Sequence, residues 1–471
     1  MAAASPLRPR LERLLGELEA GLVERRQVVR LALLAALAGQ HTLLIGPPGT
    51  AKSELARRLH RAFREARYFE RLLTRFSVPE ELFGPLSISA LEADRYERQT
   101  AGFLPEASIA FIDEVFKANS AILNALLTLL NEREFDNGSR RQPCPLISVI
   151  GATNEVPDDE VGEAFFDRFL LRLPVGPVSP PGFADLLALA PAAPTGVGEG
   201  AGHSAFALDA ADRQALNAAA AGVTVPPPIT GLLGELRGAL ADEGGYVSDR
   251  RWVKTVWLLR VAAASEGRGT VAVWDLGLLP WAVAPDAKGQ AAVADWLAER
   301  LGVGQAVSPP RLGRIVEAFE KQLEAEANAN DLDYDESGRL RFTAGDYDAI
   351  ANDAKGGGAA LRMTATRQRR YGALHVAARQ RQIDELRDRL AACREELAAE
   401  QRSLAAYAAG SLWLDGEFAA RAAASLDATA AALANLDRRA AAARAGFAAL
   451  PRLEPDPGIV PEPVLHEPLP A

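Results

Sequence analysis

The sequence predicts an α/β fold: a parallel-sheet core, an all-helical domain after it and a helical hairpin further on. Three observations carry this. Leu43-Leu44-Ile45 reads as a buried strand and runs straight into Gly46-Pro47-Pro48-Gly49-Thr50-Ala51, after which Lys52-Ser53 opens a helix. Ile109-Ala110-Phe111-Ile112 is a second buried-strand pattern, and it ends on Asp113-Glu114. From Gln380 to Leu450, apolar residues step by three and four in two series separated by a break at Gly410.

At 471 residues the chain exceeds one hydrophobic core and should divide into several domains. The apolar fraction of 48% is enough for packed interiors, yet no apolar run approaches the roughly 18 residues of a membrane span. Cys144 and Cys393 cannot make a disulfide framework, and no Cys/His cluster has zinc spacing. With no secretion signal in residues 1–10, a cytoplasmic setting is expected. The net charge of −10 disfavours a general affinity for nucleic acid.

Leu11, Leu14, Leu15, Leu18 and Leu22, then Leu31, Leu34 and Leu37, have helical spacing and predict two helices on the coming sheet. The loop Gly46–Ser53 follows the first strand as a phosphate cradle would. Backbone N–H groups of Gly46, Pro47, Pro48, Gly49, Thr50 and Ala51, proline excepted, can turn inward at a polyphosphate, aided by the positive end of the next helix. Lys52 would reach the β- and γ-phosphates, and the Ser53 hydroxyl would bind Mg²⁺. Ala51 departs from the pattern, which asks for glycine there.

A helix is expected from Lys52 to about Arg67 and a strand near Arg71–Phe76. Residues 79–106 contain Phe83-Gly84-Pro85 and read as an insertion. Asp113 and Glu114 then reach a strand end together, where Asp113 would hold a metal through water and Glu114 would polarise an attacking water. Taken alone, that pair reads better as a solvated acidic turn. Its place after the loop, with room for a helix and a strand between, favours the site. Asn119 to Glu134 is an apolar-striped helix, and Leu146 to Asn154 a strand ending in an amide that would arrive beside Lys52, Asp113 and Glu114.

With Phe166-Asp167-Arg168-Phe169 added, these segments in this order resemble the AAA+ ATPases, in particular the MoxR branch, over about residues 10–300. Thr74–Ser77, Glu81–Ser87 and Val247–Trp252 are similar to the RavA (regulatory ATPase variant A) group within that branch. The resemblance implies an ATP-hydrolysing, Mg²⁺-dependent homo-hexameric ring. Arg168 would be an arginine finger entering the neighbour's site. Arg250 would be the second sensor of the lid, with Arg251 as the alternate. Residues 79–106 would be the helix-2 insertion.

Beyond Pro174 the composition shifts, and Pro191–His203 reads as an Ala/Pro/Gly-rich loop. Asp209–Ala221, Ile229–Asp242, Asp249–Ala264 and Val271–Leu279 are expected as lid helices, the third with a stripe of Trp252, Val256, Leu259 and Ala263. Arg250 falls in a first helical turn, where the dipole disfavours a cation, so ligand binding rather than helix electrostatics would explain it. Residues 302–370 suggest one helix and a small hairpin turning at Glu336-Ser337-Gly338; the alternating aspartates there lack the glycine and glutamate of a calcium loop.

The expected organisation is therefore a core over 1–178, an all-α lid over 179–302, a linker over 303–374, a projecting antiparallel helical hairpin over 375–450 and a Pro-rich disordered tail over 451–471. In function, the sequence points to a remodelling or metal/cofactor-insertion ATPase with a von Willebrand factor A partner and an unnamed client. A nucleotide-dependent ring scaffold with incidental turnover is the alternative, and a DNA motor a distant third.

Overall fold

A computed structural model describes residues 7–155, 160–189, 203–302, 308–332 and 366–469. The chain forms two compact units, one of residues 1–298 with 404–422, the other of 299–403 with 423–471.

The first unit is built on five parallel strands in the order β2-β3-β6-β1-β7: β1 His41–Ile45, β2 Tyr68–Leu72, β3 Ile109–Asp113, β6 Ser148–Thr153 and β7 Phe169–Pro174. Helices α1 (Leu7–Glu19) and α2 (Arg26–Leu37) precede it. Because strand side chains alternate between faces, Leu44 and Ile150 meet Val29 and Ala32 of α2 and Leu55 and Leu59 of α3 (Lys52–His60). Leu43, Ile112 and Val149 join the core of α6 (Ser120–Glu132) with Phe165 and Phe169. Asn119 caps α6, accepting from the Ile122 N–H at 3.0 Å.

Three local expectations change. Helix α3 stops at His60 because residues 61–64 are taken into backbone bonds with 204–208, Leu208 N–H donating to Ala62 at 2.8 Å. Strand β2 lies earlier than expected, over Tyr68–Leu72. Between α6 and β6 the chain makes an antiparallel hairpin, β4 (Glu134–Asn137) and β5 (Arg140–Pro143), in a segment to which the sequence assigned no element. Its signal was present: the two residues between the strands are Gly138-Ser139, and glycine at the first turn position, here at φ +66°, is what such hairpin turns favour.

The insertion of residues 79–106 contains two short helices, α4 (Pro79–Phe83) and α5 (Ile88–Leu91), and is fastened to this hairpin. The Asn137 side chain accepts from the Arg98 N–H at 2.7 Å and donates to the Arg98 carbonyl at 3.2 Å. Phe83 stacks on Phe135 with centroids 5.4 Å apart. Gly138, at φ +66°, passes so close that a Cβ would lie 2.1 Å from the Tyr96 carbonyl oxygen.

After β7 come α7's successor α8 (Phe183–Ala188; α7 is Glu160–Phe166) and the lid helices α9 (Ala210–Ala221), α10 (Pro227–Asp242), α11 (Asp249–Ser265), α12 (Leu279–Val283) and α13 (Ala287–Arg300). The loop expected over Pro191–His203 lies outside the described residues save His203. The buried stripe of α11 is Arg251, Thr255, Leu258, Leu259, Ala262 and Ala263, which keeps Leu259 and Ala263 of the expected stripe; Trp252 and Val256 instead line a surface groove with Leu233 of α10. Residues 404–422 complete this unit. Trp413 is buried and its indole N–H donates to Ser265 at 2.8 Å, while Leu412 N–H donates to Glu266 at 2.6 Å. Arg8, Gln27 and Arg30 of α1 and α2 donate to the carbonyls of Gly410, Trp413 and Leu412.

The second unit contains α14 (Pro309–Ala327), most of α15 (Ala373–Gly410) and most of α16 (Gly416–Ala448). Leu312, Ile315, Val316 and Phe319 are buried with Ile383, Leu386, Leu390, Leu433, Leu436 and Phe447, the heptad series read from the sequence. Arg387–Asp437 and Arg444–Asp384 pairs tie α15 to α16. Glu326, 7% exposed, accepts from His375 and Arg379. A two-strand ladder, β8 (Asn330–Leu332) with β9 (Thr366–Gln368), brackets the residues where the Glu336 hairpin was expected, and these lie outside the described residues.

The tail expected to be disordered is docked over its described part, to residue 469. Val464 is buried, Arg314 pairs with Glu467 at 2.8 Å, Arg379 donates to the Glu462 carbonyl at 2.6 Å, and Asp456 accepts from Leu374 N–H at 2.9 Å. Proline lowers the ordering entropy of such an extended segment, so a few anchors suffice to hold it.

Candidate nucleotide site

In a parallel sheet the strand ends that share an edge share a site. Register fixes the edge: Ile45 lies level with Thr153 and Pro174, and Leu72 with Asp113. The carboxyl edge therefore gathers the 46–53 loop, Asp113, Glu114 and Asn154. These are four of the elements that the sequence singled out.

The loop is held from within. Thr50 Oγ1 donates to the Pro47 carbonyl at 3.0 Å, and the Lys52 ammonium donates to the carbonyls of Gly46 at 2.6 Å and Pro47 at 2.9 Å. Gly46 is required by crowding, since a Cβ there would sit 2.1 Å from the Val175 carbonyl oxygen. Gly49 has φ +81° and Ala51 φ +66°. Ala51 thus adopts the left-handed conformation for which the pattern asks glycine, at a cost of about 1–2 kcal/mol.

Beside the loop, Asp113 accepts from the Glu114 N–H at 3.0 Å. Burial raises the Asp113 carboxyl above its usual range, against that N–H and the Lys52 charge. Glu114 itself has φ +52°, and its carboxylate rests 3.3 Å from the Lys117 ammonium. The donors at Ser53 and Asp113 are a hydroxyl and a carboxylate, hard oxygens of the kind Mg²⁺ takes.

Arg25 went unread in the sequence. It is 7% exposed and donates to the Thr50 carbonyl at 3.4 Å, the Gly176 carbonyl at 2.6 Å and the Glu24 carbonyl at 3.0 Å. It joins the α1–α2 connection, the 46–53 loop and the exit of β7. A lone arginine in a helical region gives no local signal of such a role.

Arg168 and Arg250 lie at the opposite edge. Arg168 immediately precedes Phe169, which is level with His41 at the start of β1. Arg251 is 3% exposed and donates to Asp167, Phe169 and Leu170 carbonyls and to the Ala282 carbonyl, fastening α11 to that end of β7. Trp257 donates to the Ala38 carbonyl, just before β1, at 3.1 Å. Arg250 is exposed and close enough to Arg168 to depress its guanidinium, second to burial. Of the two arginines the sequence left open, Arg251 is consumed by internal bonds and Arg250 is the accessible one. Asp167 stands 3.7 Å from Arg168.

Comparison with known proteins agrees with this architecture. Residues 9–194 match the MoxR domain of the MoxR-vWA-beta-propeller ternary systems, and residues 228–297 match an AAA lid domain. Two uncharacterised proteins of Methanocaldococcus jannaschii are similar: one is 39% identical over 58% of this chain and 70% of its own length, the other 41% identical over 57% and 70%. Chaperone MoxR1 of Mycobacterium tuberculosis is 30% identical over 36% of this chain and 45% of its own. A putative ATPase from Cytophaga hutchinsonii has a TM-score of 0.49 at 18% identity, over 61% of this chain and 90% of its own. The fold and the site define a nucleotide-binding α/β protein with a helical lid. The chain belongs to the MoxR family of AAA+ ATPases. Among the described residues no helix is long and apolar enough to cross a membrane.

Proposed function

We propose that the protein hydrolyses Mg²⁺-ATP in a ring, a hexamer by its resemblance to the RavA group, with each site made from two protomers. The observation that carries this reading is the division of the site residues between the two edges of one sheet. Lys52, Asp113, Glu114 and Asn154 share the carboxyl edge, and Arg168 and Arg250 share the other, a strand length away. Five residues at about 3.3 Å each exceed the reach of an arginine side chain, so the arginines serve a second copy's nucleotide.

In such a site the loop amides and the N-terminus of α3 bind the phosphates, and Lys52 exchanges its Gly46 and Pro47 carbonyls for phosphate oxygens. Ser53 and Asp113 would hold Mg²⁺, which neutralises charge on the phosphates when bound. Glu114, leaving Lys117, orients and deprotonates the attacking water, and Asn154 fixes its direction. Arg168 and Arg250 of the adjacent protomer stabilise the charge of the transition state, a contribution of about a thousandfold or more for such fingers.

A remodelling or metal- or cofactor-insertion role, with a von Willebrand factor A protein as partner, is supported by the matched MoxR-vWA-beta-propeller domain and the MoxR1 chaperone. The test is ATP turnover of the wild type, Glu114→Gln and Arg168→Ala. Loss in both variants is expected; equal rates in all three would sink the reading.

A further inference from the structure

One cation at the far edge has no use in the scheme above. Lys254 lies one helical turn beyond Arg250 on α11, so both project from one face, and it is half-buried. It feels Arg168, Arg250, Arg251 and Asp167 around it, and it reaches near enough to His41 at the start of β1 to depress that imidazole. Among the described residues Asp167 is the carboxylate of the group, and it is already engaged by Ser248 at 3.2 Å and Arg251 at 3.3 Å. Among the described residues neither Lys254 nor Arg250 has a hydrogen-bond or ion-pair partner, and Arg168 Nε is buried without an acceptor. A half-buried ammonium flanked by arginines is costly unless an anion arrives to balance it.

We propose that Lys254 is a third cation of the face presented to the neighbouring protomer, with the terminal phosphate of that protomer's nucleoside triphosphate as its ligand. This rests on the two-protomer reading above. It adds a point charge that can follow the phosphate as it moves, where Arg168 and Arg250 offer planar forks. Burial, then Arg168 and Arg250, bring the Lys254 ammonium down to about 8. Among the described residues the groups facing it are Arg168 and Asp167 before β7, Arg250 and Arg251 on α11, and His41 on β1, which stays neutral. Lys254 is therefore charged below that pH and loses its proton above it.

The test uses the full chain with Mg²⁺-ATP. Lys254→Met is expected to lower kcat at least tenfold and to recover turnover when mixed with Lys52→Ala chains, which lack a working loop but carry intact Lys254. Arg168→Ala mixed with Lys52→Ala is the parallel control. In the wild type, kcat/KM should fall on the alkaline side near or above pH 8, and Lys254→Arg should move that limb up by about one pH unit or more. A Lys254→Met protein at wild-type rate, beside an inactive Arg168→Ala, overturns the role of Lys254 alone. So does an inactive Lys254→Met that mixing fails to restore while Arg168→Ala is restored. Arg168→Ala at wild-type rate, or no recovery in either mixture, overturns the two-protomer reading itself.

Discussion

Ala51 shows how one residue can depart from a pattern and still keep its geometry. Its φ of +66° places it where glycine is free of strain and alanine is not. Ala51→Gly should therefore stabilise the protein by about 0.5–1 kcal/mol, the reverse of the usual cost of glycine near a helix. Chemical unfolding without nucleotide measures it, and a loss of stability would contradict the strain. His41 is the second residue whose surroundings set a measurable. It is 2% exposed, accepts from Val149 N–H through Nδ1 and faces the Leu130 carbonyl with Nε2, so it is neutral. Burial lowers its pKa from 6.5 to about 3. The unfolded chain takes that proton first, so stability is full above about pH 6.5 and declines as acid is added. At pH 5 the loss is roughly 2 kcal/mol. Unfolding free energies at pH 7 and pH 5 for wild type and His41→Gln should show this dependence in the former and its removal in the latter.

Between elements, the attachments rest on few atoms. The β4–β5 hairpin and the 79–106 insertion meet through Asn137, Gly138 and the Phe83–Phe135 stack. Gly138→Ala meets both a positive φ and the Tyr96 carbonyl, and should cost more than about 1 kcal/mol. Amide exchange should quicken together over residues 95–99 and 134–143; a change confined to the hairpin would show that the two segments move separately. In the second unit the corresponding junction is Glu326. Burial pushes its carboxyl up, and the bonds from His375, Gln322 and Arg379 outweigh that, leaving it below its usual range. Glu326→Ala strands the Arg379 guanidinium, 4% exposed, and should cost about 3 kcal/mol. Urea unfolding followed on the full chain reads this directly, with Glu326→Gln expected to lose less.

Across the molecule, what the sequence made legible was chemistry with fixed spacing. Lys52, Asp113, Glu114 and Asn154 follow strands, and a parallel sheet must bring strand ends together, so their shared edge could be foreseen. That Arg250 joins Arg168 at the other edge could not, because it depends on where α11 packs, and that is set by Arg251 against carbonyls about eighty residues away in sequence. Arg25, Lys117 and Lys254 are single cations in ordinary helical or turn contexts, which carry no pattern. Gly138-Ser139 did carry one, hidden by the apolar helix before it. The docked tail was misread because its proline content resembles that of chains that never pack, whereas its attachment lies in Asp456, Glu462, Val464 and Glu467 taken singly.

Residues 404–422 also bear on how the chain is made. The lid helix α11 ends at Ser265 and Glu266, whose partners are Trp413, Ser411 and Leu412, and α1 holds Gly410 across 402 positions. During synthesis from the N-terminus, the first unit cannot close until residue 422 has left the ribosome, although its sheet is complete by Pro174. The lid then waits as an open half-structure with its Trp413 site bare. A stalled or truncated chain ending before residue 404 would expose that surface to holding chaperones and proteases, so emergence of residues 404–422 is the condition for burying it.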